Sequence, residues 1–255
     1  MEKARQETTF VPLGEETFHF RCHKGISCFT RCCADLSLIL TPYDIVRLRA
    51  RLGIPSGEFL DRYTEPKLDD PYRFPVLRLV MNEDERRSCP FLTPDGCAVY
   101  EDRPVACRIY PLGRAAMSLD QPGRTAREKF FLVREPHCRG FEEEREWTAR
   151  EWMASEGVDE YNAVNDPWMR ILTSRRSLGP KADEERKLKM FSMASYNPDR
   201  FRDFLFKSPF FQRFDVDPET RDRIAFDDKA LLAFAFQWLE FSLFGEKTMK
   251  IREEA

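Results

Sequence analysis

The hydrophobic positions of this chain fall into two regimes. In the first half the apolar runs are short. Glu16 to Phe20, "ETFHF", alternates polar and apolar residues with the period of a half-buried strand, and Leu36 to Leu40, "LSLIL", reads as a second short strand. "VLRLVMN" (Val76 to Asn82) and "KFFLVRE" (Lys129 to Glu135) predict two more. Between them, Thr41 followed by Pro42 and Asp44 signals a helix start. The hydroxyl can accept the N3 amide, the proline suits the first turn, and the carboxylate can reach back to the cap, so a helix is predicted to Gly53. Ser56 is expected to cap another through Tyr63. Pro94, Asp95 and Gly96 predict a turn that folds Cys89 back toward Cys97.

Beyond about Glu142 the pattern becomes helical. Asp166-Pro167, Asn197-Pro198, Ser208-Pro209 and Asp217-Pro218 each place a capping side chain before a proline, the signature of a helix start. A last helix is predicted from about Asp227 to Phe244, stopped by Gly245, and its Phe, Leu and Trp238 stripe reads as core or partner surface. No repeat or low-complexity linker interrupts the chain. The expected fold class is α+β: a small irregular cysteine-rich metal module of short strands and helices over residues 1–140, packed as one unit against an all-helical half over residues 141–255. The boundary near Gly140 is a shift of composition.

At 255 residues and 42% hydrophobic, the chain can bury a proper core. Its 41 Lys and Arg against 44 Asp and Glu leave a formal charge of -3, which gives no electrostatic case for nucleic acid or an anionic membrane as partner. The first residues, "MEKARQETTFVPLG", are polar where a secretory signal has an apolar run of about 7–15 residues, so a cytoplasmic location is expected. The most apolar segment, "ALLAFAFQWLEFSLF", is broken by Gln237 and Glu240 and falls short of the ~20 residues that span a bilayer. No membrane insertion is expected.

The eight cysteines change the picture. All lie between Cys22 and Cys138, whereas independent buried thiols would be scattered. In a reducing compartment such clustering points to metal or redox chemistry rather than disulfides. The spacing is C-x5-C-x3-C-C for Cys22, Cys28, Cys32 and Cys33, followed by Cys89, Cys97, Cys107 and Cys138. Neighbours Cys32 and Cys33 are poor disulfide partners, since adjacent α-carbons sit about 3.8 Å apart and bridges want roughly 4.4–6.8 Å. They project about 100° apart on a helix and to opposite faces of a strand, which suits a polynuclear cluster or two nearby centres better than one ion. Eight thiolates divide into two sets of four, the ligand count of two [4Fe-4S] clusters or two structural zincs. Either filling leaves a net charge of about -4 that needs surrounding cations and N–H donors. Arg21, Lys24, Arg31, Arg108 and Arg139 lie near cysteines and are candidates. His19, His23 and His137 are left outside the ligand set because eight thiols already suffice.

In Cys22, Cys28, Cys32 and Cys33, "CPFL" (Cys89 to Leu92) and "CAVYEDRPVACRIYPLG" (Cys97 to Gly113), the chain resembles the YkgJ-type cysteine-cluster family, the zinc- or iron-chelating CxxCxxCC domain. The likeness covers about half the chain. It implies metal chelation by these cysteines, and the family's flagellin lysine N-methylase relatives tilt the cofactor toward iron-sulfur over zinc. The C-x5-C opening is wider than the family's spacing, and Cys138, in "PHCRGF", fits as eighth ligand by position. Within the signature, Pro104 suits the first turn of a helix beginning after Asp102, with Cys107 near its end and Pro111 closing it. Arg103 or Arg108 is expected to donate to sulfur or pair with a carboxylate, and Tyr100 and Tyr110 to shield the site or serve as ordinary core aromatics.

Three functions follow. The first is an iron-sulfur protein for electron transfer or engagement of a protein partner; the second is an iron-sulfur-dependent protein lysine N-methylase; the third is a non-catalytic structural zinc protein. No G-x-G-x-x-G, H-E-x-x-H, G-x-S-x-G or P-loop occurs, and no residue is singled out as catalytic.

Overall fold

The computed structural model describes residues 8–68, 72–117 and 127–252. The chain forms two units that interleave in sequence: Met1–Ser37 with Met81–Asp159, and Leu38–Val80 with Glu160–Ala255. The compositional boundary near Gly140 therefore falls inside the first unit, and Leu38–Val80 groups with the C-terminal helices. The reason lies in that segment's apolar faces. Tyr43, Ile45, Leu48, Phe59, Val76 and Leu79 are buried, and the helices Pro42–Leu52 and Ser56–Tyr63 bury theirs on Glu184–Tyr196, Asp228–Phe244 and Pro198–Lys207.

In the cysteine-bearing unit, Arg127–Arg134 is the middle strand of an antiparallel sheet between Thr9–Leu13 and Leu112–Met117. Leu13 pairs with Phe130 and Leu112 with Leu132. The strand Thr9–Leu13 was not legible in sequence, because only Leu13 of its five residues is buried and the alternation is lost. Phe18–His19 pairs with Glu146–Trp147, and Leu92–Thr93 with Gly96–Cys97 across the expected turn. Leu13, Phe18, Phe20, Leu112, Leu132, Trp152, Met153 and Val158 form the core. Phe20 meets Tyr110, Phe141 and Trp152 edge-on at 5.8, 5.3 and 5.4 Å. The indole N–H groups find carbonyls, Trp147 on Phe20 at 2.9 Å and Trp152 on Ile109 at 3.0 Å, so burying them leaves no donor orphaned.

In the helical unit, Val76–Leu79 is the middle strand between Ile39–Leu40 and Thr64–Lys67. The helix Pro42–Leu52 has the expected capping box between Thr41 and Asp44, and Gly53 ends it in the left-handed region at φ 67. Asn197 and Asp217 cap the helices Pro198–Lys207 and Pro218–Phe226, and Asp227 and Gly245 bound Asp228–Phe244. Three expected starts differ. Pro55, not Ser56, occupies the cap of Ser56–Tyr63. The Ser56 hydroxyl lies instead 2.7 Å from Asn197 Oδ1 and 2.9 Å from Asp199 Oδ2, where a buried hydroxyl finds stronger partners than its own first turn offers. Pro167 sits inside the helix Val158–Leu172; Tyr161, Val164, Trp168 and Ile171 make a buried stripe that carries the helix through it. Ser208-Pro209 precedes only the single turn Phe210–Arg213. Among the described residues, no helix is long and apolar enough to cross a membrane.

Candidate metal centre

Phe20 delivers the chain to the first cysteines. Its N–H donates to Arg145 O at 2.9 Å and that of Arg21 to Gly140 O at 3.1 Å, which ties this stretch to the segment carrying Cys138. From Cys22 the backbone proceeds through consecutive three-residue turns: Ile26 N–H to His23 O, Phe29 N–H to Ile26 O, Arg31 N–H to Cys28 O and Cys33 N–H to Thr30 O, at 2.9–3.1 Å. These turns bring Cys22, Cys28 and Cys32 to one small cavity of about 30 Å³, where Cys138 joins them from more than a hundred residues away. The Arg139 backbone N–H donates to Cys28 Sγ at 3.2 Å and locks the two segments together. Phe20, Ile26 and Tyr110 give the cavity apolar wall.

Cys33 keeps its thiol in a hydrogen bond with Cys32, but its main chain leads elsewhere. Its carbonyl accepts the Cys89 N–H at 2.9 Å, beside an antiparallel bridge between Ala34 and Ser88. Cys89 and Cys97 lie within reach of each other's charge across the hairpin. Gly96, at φ 118, turns the chain where a side chain would be strained and would press on the Phe29 ring at 3.2 Å. Cys107 stands half-buried in the middle of the short helix Val105–Ile109, a helix the sequence anticipates, although it starts later than expected and Pro104 occupies its cap rather than its first turn. All eight cysteines carry free thiols.

Backbone donors are aimed at the sulfurs. The N–H groups of Phe91, Val99 and Gly140 bond Cys89, Cys97 and Cys138, each two residues upstream, and favour the thiolate. Without metal the balance still favours the thiol. Burial, then Cys32, Cys28 and Cys138, pushes Cys22 up to about 11, and burial pushes Cys89 up to about 11. The Cys32 thiol is raised further, first by its hydrogen bond with Cys33 and then by burial. Burial raises Cys97 and Cys138.

Among the described residues, no three His, Cys, Asp or Glu side chains close on a single point as an ion's ligands would. The sulfurs surround a hollow instead. The residues nevertheless fit a thiophilic metal group on two counts: soft sulfur donors converge from separate segments, and N–H donors stand where thiolate charge would develop. The buried Tyr110 hydroxyl also makes no well-aligned hydrogen bond, and the Cys138 thiol acts on it. Burial first, then Cys138, raises its pKa.

The other residues expected around the sulfurs divide. Arg103 takes the carboxylate alternative and pairs with Glu156, while its guanidinium covers the Tyr100 ring at 3.9 Å. Its charge also lowers the Cys97 pKa against the larger effect of burial. Arg108 is buried and donates to the carbonyls of Arg103, Glu156 and Glu101, so it braces the loop. Tyr100 is 53% exposed and shields little; Tyr110 lines the cavity. Lys24 faces Asp95 at 3.7 Å and the Arg139 side chain Glu142 at 2.6 Å. His19 approaches Glu144 O at 3.0 Å, and His23 accepts the Gly25 N–H on Nδ1 and faces Glu143 with Nε2 at 3.3 Å. His137, which the sequence leaves outside the ligand set, stands at the site all the same. It lines the four-cysteine cavity on one side and an open groove on the other. Its only signal in the sequence is adjacency to Cys138.

Thiols gathered from distant segments into a loop-rich, hydrogen-bonded module define a cysteine-rich metal-chelating domain. Residues 21–145 match the model of the CxxCxxCC family, described as "Putative zinc- or iron-chelating domain". Comparison with curated proteins and with solved structures finds no match.

Proposed function

We propose that the domain carries iron-sulfur clusters of the [4Fe-4S] kind on its eight cysteines, in two sets of four, and that it serves electron transfer to a protein partner in the cytoplasm. One set is Cys22, Cys28, Cys32 and Cys138; the other is Cys33, Cys89, Cys97 and Cys107. The observation that carries this reading is that the adjacent pair, whose thiols still hydrogen-bond each other, leads to two different groups of cysteines. Cys32 lines a cavity with three other thiols, while Cys33 is bonded through its main chain to Cys89. Cys107 joins the second set by count, since each cluster takes four thiolates. When bound, such clusters supply one-electron chemistry and cross-link the segments that hold them. The chain's own residues orient and tune: the Arg139, Gly140, Phe91 and Val99 N–H groups stabilise thiolate, and Phe20 and Ile26 wall one side of the first set, whose Cys22 stays exposed.

Protein purified without oxygen tests both parts. It should be brown, hold iron and acid-labile sulfide at about eight each per chain, and lose visible absorbance on reduction. Cys138→Ser and Cys89→Ser should each remove about half of the iron and together nearly all of it. Colourless protein with stoichiometric zinc would refute the cluster. Complete iron loss in either single variant would refute the division into two sets.

A further inference from the structure

We propose that the open groove beside the four-cysteine cavity is a binding site for a small anion carrying carboxylate or phosphate groups, held by Arg31 and Arg86. The groove measures about 610 Å³, within the roughly 300–1,000 Å³ of small-molecule sites. Its charges are unevenly engaged. Asp35 is paired with Arg87 at 3.3 Å, and the Glu135 carboxylate Oε2 lies 3.4 Å from His137 Nε2, although neither of those last two buried atoms makes a hydrogen bond. Neither the Arg31 nor the Arg86 guanidinium stands within 4.0 Å of a carboxylate among the described residues, although Asp84, which accepts the Arg86 backbone N–H at 3.0 Å, feels the Arg86 charge. Two such guanidiniums over one hollow offer the fork geometry that carboxylate and phosphate oxygens accept.

The backbone beside the groove is held in an unusual state. Thr30, Asp35 and Arg87, at φ 65, 51 and 48, are the non-glycine residues with positive φ among the described residues. Thr30 and Asp35 line the groove, and Arg87 bonds Asp35 through both side chain and main chain. A left-handed residue costs about 1–2 kcal/mol, and a β-branched threonine adopts it least readily. Such strain persists where surrounding bonds enforce it. Cys33 N–H to Thr30 O at 3.1 Å and Asp35 N–H to Arg87 O at 2.9 Å do so here. The strained turns set Arg31 and Arg86 on the same hollow. His137 lines both this groove and the four-cysteine cavity, so a bound anion would share a wall with the thiols.

The site goes beyond the cluster reading and is testable without it. The full chain, metal-loaded as purified, is titrated calorimetrically at low ionic strength with inorganic phosphate and, separately, with succinate. One site per chain is expected, weakened about tenfold or more in Arg31→Gln/Arg86→Gln and unchanged in Arg150→Gln. The anion that binds more tightly assigns the ligand's acidic group. Equal, weak binding to parent and double variant, an adventitious ion only, overturns the proposal. So does binding of polyglutamate that needs both arginines while neither small anion binds, since the groove would then dock a protein. Metal content equal to the parent's shows that the double variant keeps its module. Zinc in place of iron would sink the cluster reading and leave this one standing.

Discussion

Gly140 has no side chain because Phe20 occupies the space one would need. A β-carbon there would stand 2.5 Å from the Phe20 ring, and that ring, 2% exposed, is held edge-on by Tyr110, Phe141 and Trp152. The same glycine turns its N–H to Cys138 and its carbonyl to Arg21. Gly140→Ala should therefore cost about 1–3 kcal/mol of stability, read from the urea midpoint of the metal-loaded protein. An unchanged midpoint would mean that the ring yields. Gly113 meets a ring as well, but Phe131 is only half-buried, so its ring has room to move. Neither close approach is legible in sequence, because each depends on a side chain brought up by strand pairing or loop packing.

At the scale of elements, local chemistry and tertiary chemistry separate at two neighbouring helices. Thr41 caps Pro42–Leu52 with its own hydroxyl, accepting the Asp44 N–H at 3.3 Å while Asp44 accepts the Thr41 N–H at 2.8 Å. Thr41→Ala should cost about 1 kcal/mol, the usual worth of such a cap. Ser56 resembles a cap in the sequence, yet its hydroxyl serves Asn197 and Asp199, on another element. Ser56→Ala should cost about 1–3 kcal/mol, because it strips a buried network of its hydroxyl. Denaturant unfolding of the two variants decides between these accounts; a smaller loss at Ser56 than at Thr41 would contradict the network.

For the whole molecule, metal and protons compete for the same sulfurs. Cys22 and Cys89 are raised to about 11 from an ordinary value near 9 by burial first. A thiol raised on folding adds stability in full below its unfolded pKa and loses it as pH climbs through the folded value. The chelator-stripped chain should thus lose stability between about pH 9 and 11. The loaded chain, its thiolates already formed, should not show this loss and should instead release metal as pH falls. Urea midpoints of both forms across pH give the sign. Stripping should also open Met1–Ser37 and Met81–Asp159 to protease while the helices of Leu38–Val80 and Glu160–Ala255 keep their circular dichroism. Equal protease resistance before and after chelation would remove the structural role assigned to metal.

The sequence by itself determined whatever a few neighbouring residues settle. The Thr41 capping box, the Asn197 and Asp217 caps, the helix start near Asp227, the Gly53 and Gly245 stops, the turn at Gly96 and the thiol-rich spacing of a chelating domain were all legible there. Propensity and capping energies act within about one turn, so local residues suffice to read them. Only tertiary structure decided that Cys138 joins Cys22, Cys28 and Cys32, that Arg139 reaches Cys28 across 111 positions, that Leu38–Val80 belongs with the C-terminal helices, and that His137 stands between cavity and groove. Those pairings arise from burial of surfaces far apart along the chain, and hydrophobic burial is non-directional, so no local pattern specifies its partner.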